Sequence, residues 1–124
     1  MNLLLAKNHV ADMTIPKFRL VKHGTGDDRI TLATSSTDFI IGVTMDIDAA
    51  INERSDVHLA GIAYVEASAA ITRGALITAD AIGRAVTAAP AAGVNASVVG
   101  RALESASAAG DVIRVMLSIG QIQG

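Results

Sequence analysis

Short apolar runs separated by polar or glycine-rich clusters make up most of the chain, which is the signature of strands joined by turns. The clearest example is Ile71-Thr-Arg-Gly-Ala-Leu-Ile-Thr-Ala-Asp-Ala-Ile-Gly-Arg-Ala-Val86. Residues 75–78 and 84–87 read as its two strands. Residues 79–83 read as the turn, where Gly83 can take the positive φ that such a loop often needs. Residues 18–23 and 29–34 form a similar pair around Gly24-Thr-Gly-Asp-Asp28, a loop dense in turn-forming residues. Phe39-Ile-Ile-Gly-Val-Thr44 predicts a buried strand in which Gly42 marks a bulge or a close backbone approach. A long strand is expected over 57–67, bent at Gly61, followed by further strands over 97–103 and 111–118. Residues 46–54 are the one helical candidate.

Both ends read differently. Residues 1–14 show neither alternation nor helix caps, and Pro16 biases Ile15 towards an extended conformation, so an N-terminal arm is expected there. Residues 119–124 read as a tail. Between them, residues 15–118 predict a single all-β domain, a compact barrel or sandwich of about nine short strands.

The two hairpins share a grammar, and the likeness extends along the chain. Ile15 aligns with Ile71, and Leu20-Val21 with Leu76-Ile77, at a spacing of 56. Arg29 aligns with Arg84 at 55, the run 40–45 with 98–103 at 58, and 56–59 with 111–114 at 55. The order of all four blocks is kept. Two pseudo-repeats follow, about 15–60 and 71–118, expected to share one pseudo-symmetric core with Gly42 and Gly100 in equivalent places, the latter a second bulge position.

Composition narrows the functional classes. With two Phe, one Tyr and no Trp, the core must be built from Val, Ile, Leu and Ala. A net charge of −2 with scattered cations offers no stripe for phosphates, and the few aromatics make no platform for base stacking, so nucleic acid is not expected as a partner. Cysteine is absent, which removes disulfides and thiolate chemistry. Mean hydropathy is +0.45, yet glycine, proline and charges interrupt every apolar stretch, so no membrane partner is expected.

Candidate chemistry is sparse. His9, His23 and His58 share no ligand spacing, so no metal site is expected. No nucleophile motif or paired-carboxylate arrangement is marked, and Gly24-Thr-Gly26 lacks the Lys-Ser/Thr pair of a phosphate loop. Asn95-Ala-Ser97 fits a glycosylation acceptor, but no secretion signal accompanies it. Neither catalytic residues nor cofactors are predicted, and the protein reads as one that binds itself or a larger surface. Leu3, Leu4 and Leu5 are the candidate contacts, because an apolar triplet in an arm needs a cover; the other reading makes them the first strand of the domain.

Three blocks carry a family resemblance. They are Val57-His-Leu-Ala-Gly-Ile-Ala-Tyr-Val-Glu-Ala67, the hairpin 71–86, and Val99-Gly-Arg-Ala-Leu-Glu-Ser-Ala-Ser-Ala-Ala-Gly-Asp-Val-Ile-Arg-Val-Met-Leu117. Together they resemble the small capsid cement or decoration proteins of tailed bacteriophages and prophages. The longer polar loop over 46–55 and the plain N-terminal arm depart from that pattern. The resemblance implies a non-enzymatic virion protein made in the bacterial cytoplasm. It would bind the outer surface of an expanded shell and bridge neighbouring major capsid proteins. It further implies self-association, a trimer first and a dimer second. Another virion part, such as a tail or head-fibre base, and a small-ligand or enzymatic β module are the competing readings.

Overall fold

The computed structural model describes residues 2–124. Nine strands follow one another: β1 (Asn2–Ala11), β2 (Leu20–His23), β3 (Arg29–Leu32), β4 (Ile40–Thr44), β5 (Arg54–Glu66), β6 (Leu76–Ala79), β7 (Ala85–Thr87), β8 (Asn95–Ala102) and β9 (Val112–Gln123). They form one sheet in the order β1-β3-β2-β4-β5-β9-β8-β6-β7. The fold is all-β, as the alternation predicts.

The sheet closes on itself twice. β1 also pairs with β5, so β1, β3, β2, β4 and β5 complete a circuit. At the other end β5, β9, β8, β6 and β7 complete a second circuit through a parallel bridge from Ala67 to Ala85, the counterpart of the parallel pair Ala11 and Ile30. β5 belongs to both: residues 54–62 pair with β1 and residues 62–66 with β9.

Matching pairings recur in the two circuits. Ile15 bridges Ala49 and Ile71 bridges Ala106; Val21 faces Gly42 and Ile77 faces Gly100; Val10 faces Arg54 and Glu66 faces Val112. The first unit therefore begins at β1, ahead of Ile15. The last pairing sets Arg54 against Val112 at a spacing of 58, which replaces the alignment of Asp56 with Asp111.

Burial follows the same plan but corrects the expectation of a single core. Ala11, Ile15, Val21, Ile30, Ile41, Ala49 and Val57 form one apolar cluster. Their counterparts Ala67, Ile71, Ile77, Ala85, Val99, Ala106 and Val115 lie in a second cluster, which also takes in Leu20, Ala33, Ile40 and Val43 from the outer face of the first unit. Each fully buried aliphatic side chain contributes about 1.5–3 kcal/mol.

Three local expectations change. Residues 46–54 are not helical. Asp48 Oδ1 accepts the Lys17 N–H, Glu53 Oε1 accepts the Ala50 N–H, Ala49 bridges to Ile15, and Asn52 takes φ 67°. Short polar side chains that satisfy nearby backbone favour turns over helix in this way. Residues 2–11, expected as an arm, are strand β1, with register shifts on either side of Leu5. At the other end, residues 119–123 continue β9.

The seam between the units is polar at its rim. Leu20 N donates to Gly83 O at 2.7 Å, Arg19 Nη1 to Ile82 O at 3.0 Å, and Glu66 N to Phe18 O at 3.0 Å. Glu66 Oε2 lies 3.2 Å from Arg19 Nη2 and 3.8 Å from Arg84 Nη1. The turn between β6 and β7 is thus clasped to the first unit and is no free outer surface. Gly83, at φ 77°, permits this: a Cβ there would stand 2.8 Å from Leu20 O.

Candidate attachment surface

Among the described residues, two of the strand segments that lack a neighbour on one side meet at one point. Residues 2–9 of β1 pair with β5 alone, since β3 reaches only Val10 and Ala11. Beyond Met116, β9 pairs with β8 alone. Both segments begin at the same place, because Ile62 pairs with Asn2 and with Met116. Unpaired main-chain groups along such edges can bind an added strand.

Apolar side chains gather around this fork. Leu3, Leu4 and Leu5 are 51%, 80% and 55% exposed. Leu4 shares a groove with Gly61, Ile62, Met116 and Leu117. Met116 reaches a second groove with Leu76, Val98, Gly100, Arg101, Gly120 and Ile122. Ile119 lies with Phe39 on a third, on the face of β9 opposite to Met116 and away from the leucines. Among the described residues, Arg101 is the one charged side chain lining these three grooves.

The structural glycines serve this arrangement from beneath. Gly61 faces Leu3 in the middle of β5 at φ 106°. Gly42 and Gly100 hold equivalent positions where strands pass too close for a side chain. A Cβ on Gly42 would meet the His58 carbonyl, with Val57 Cγ1 at 2.7 Å, and one on Gly100 would meet the Met116 carbonyl. Register shifts fall next to both, after Val21 opposite Gly42 and between Val98 and Gly100.

Polar chemistry lies elsewhere, in turns. Hydrogen bonds from Arg29 and from the Thr25 N–H hold the Asp12 carboxyl below the usual range. Lys7 does the same for Asp28 from 2.9 Å. At Asp80 burial opposes ionisation, but the N–H groups of Ile82 and Arg84 outweigh it and lower the pKa. Asp111 is lowered by the Ser107 backbone and hydroxyl. Burial pushes His9 below its ordinary value while its Nδ1 lies 3.0 Å from Lys7 O. Among the described residues no group of three or more His, Cys, Asp or Glu could hold a metal, and no helix is long and apolar enough to cross a membrane.

The sequence marked Leu3, Leu4 and Leu5 but missed Met116, Ile119 and Phe39. Met116 had a readable signal: Val112, Arg114 and Met116 alternate with buried Ile113 and Val115, so Met116 shares a face with Arg114. Phe39 and Ile119 become neighbours only through folding.

The fold is similar to the crystal structure of the head fibre gp8.5 N base of bacteriophage phi29, with a TM-score of 0.73 and 21% identity. The match covers 97% of this chain and 98% of that one. No curated protein matches the sequence. The profile of the phage cement proteins matches residues 7–117, which is nearly the whole chain and includes all three sequence blocks. The chain belongs to the phage cement protein family.

Proposed function

We propose that this phage structural protein binds the outer surface of a capsid and stabilises the expanded shell by bridging major capsid proteins. The apolar fork carries the reading: Leu3, Leu4, Leu5 and Met116 stand exposed beside two strand edges that have main-chain groups to offer. A ligand that binds only the expanded lattice stabilises it by mass action, and contact with more than one subunit multiplies the effect through effective concentration. The work is binding, with no reaction, cofactor or metal. The protein is made in the bacterial cytoplasm and ends on the virion exterior.

Co-sedimentation with expanded capsids, followed by capsid melting, tests this. Bound protein should raise the capsid melting temperature, and Leu4→Glu should weaken binding while the protein keeps its own stability. Absence of binding to expanded capsids would sink the proposal.

The second reading is a base for a head fibre, favoured by the likeness to the gp8.5 N base over 98% of that chain. Labelled protein seen by electron microscopy at fibre attachment points, and not across the shell, would select it.

A further inference from the structure

The open edge of β9 has a counterpart inside the chain that is covered. Val43 faces His58 and Thr44 faces Val57 in the first unit, as Arg101 faces Met116 and Ala102 faces Val115 in the second, so residues 57–58 of β5 correspond to 115–116 of β9. Continued along each strand, 59–62 correspond to 117–120. On the side of β5 away from β4, Ala60, Gly61 and Ile62 pair with Leu5, Leu3 and Asn2 of the antiparallel β1. On the matching side of β9, away from β8, cover by β5 ends at Met116.

Main-chain groups along that edge point outwards. Leu103 N donates to Arg114 O, and Gly124 N donates to Val94 O, so the even-numbered positions of β9 address β8. Because these groups alternate along a strand, Leu117, Ile119, Gln121 and Gln123 turn their N–H and C=O away from β8. Exposed edges are commonly guarded by lysine, proline or other charge. The open part of β1 carries Lys7, held to Asp28 at 2.9 Å. From Val115 to Gly124 there is neither a charged residue nor a proline. The flanks are apolar too, with Leu4, Gly61 and Ile62 beside Leu117, and Phe39 and Ile40 beside Ile119.

We infer that the open edge of β9 receives an extended, uncharged segment of the major capsid protein as an added antiparallel strand, hydrogen-bonded to the main chain of Leu117, Ile119 and Gln121. This rests on the capsid attachment proposed above and specifies how the contact is made. The chain itself holds the template for the occupant, Asn2-Leu-Leu-Leu5, which covers the matching stretch of β5. β5 is irregular there, with Gly61 at φ 106°, and β1 follows it with register shifts on either side of Leu5. The register shift of β9 next to Gly100 is therefore no obstacle to a strand of the same kind. Residues 2–5 are already held by β5 in every copy, so a second copy has no like strand to give.

Amide hydrogen exchange, read residue by residue with and without expanded capsids, tests the added strand. In the free protein Leu117, Ile119 and Gln121 should exchange faster than Gly120 and Ile122. On capsids they should slow by about tenfold or more, while Gly120 and Ile122 change little. Gln121→Pro removes one outward N–H and none that bonds β8, so it should weaken capsid binding about tenfold and leave the free protein's melting temperature in place. Gln121→Ala should bind as the wild type does. Wild-type binding with these amides as exposed as in solution overturns the inference and leaves capsid attachment standing. Undiminished binding by a folded Gln121→Pro protein does the same. Slowing of the amides in concentrated free protein would give the edge to a second copy and overturn the capsid strand, and a wild type that binds no capsid would remove attachment and strand together.

Discussion

Phe18 and Asn52 hold φ angles of 59° and 67°, and in the second unit the same places are taken by Gly74 and Gly110 at 92° and 94°. A left-handed conformation costs a residue with a side chain about 1–2 kcal/mol. At Phe18 the edge-on contact with Tyr64, 6.1 Å between centroids, offsets part of that. Phe18→Gly should therefore shift stability by less than about 1 kcal/mol in urea unfolding. Gly74→Ala, whose Cβ meets nothing within 4 Å, should lose about 1 kcal/mol from φ alone. Gly83→Ala adds collision with Leu20 O to the same strain and should lose about 3 kcal/mol. The titrating residues give a pH dependence of one sign. His9 is lowered by burial, so its contribution is complete above the unfolded value near 6.5 and is lost as pH falls through the folded value. Asp80 and Asp111 are lowered too, so theirs is present above the ordinary carboxylate range and lost below it. Thermal unfolding should show two declining limbs on acidification, and His9→Gln should flatten the upper one alone.

At the level of elements, β1 departs most from its sequence pattern. An arm at 1–14 implies that its deletion leaves folding intact, whereas the structure makes β1 the strand that closes the first circuit. Deleting residues 1–11 should therefore abolish the cooperative unfolding transition, followed by circular dichroism. Leu4→Glu, at an exposed position, should change stability by less than about 0.5 kcal/mol. The reason β1 was illegible is physical. Its partner, β5, is about fifty residues away, and Leu3 to Leu5 lie where the ribbon is exposed on both faces, so no alternation is imposed. The hairpin of β6 and β7 was legible because its two strands and its turn glycine are adjacent in sequence. Residues 46–54 misled for a third reason. Asp46 and Asp48 resemble helix-start residues, and only the fold shows that the oxygens of Asp48, Glu53 and Asn52 accept from Lys17 N, Ala50 N and Arg29 Nη2.

For the whole molecule, the recurrence of matching pairings was readable from aligned blocks. The seam was not, since nothing in Asp80 to Arg84 announces which surface will receive that turn. The same is true of the attachment surface: its leucines stand together in the sequence, but Met116 joins Leu4 only across strands. Because the circuits share β5 and the clasp at Glu66, the chain should unfold in one transition, with calorimetric and van't Hoff enthalpies equal. A heat trace with two resolved peaks would contradict that coupling. β5 has a mechanical consequence as well. Its thirteen residues run unbroken from one unit into the other, so a pull that separates the units travels along covalent backbone. The rungs to β1 and to β9 then resist by sliding together under shear and do not part singly, which makes the molecule a tie-bar, stiffest along the axis of that strand.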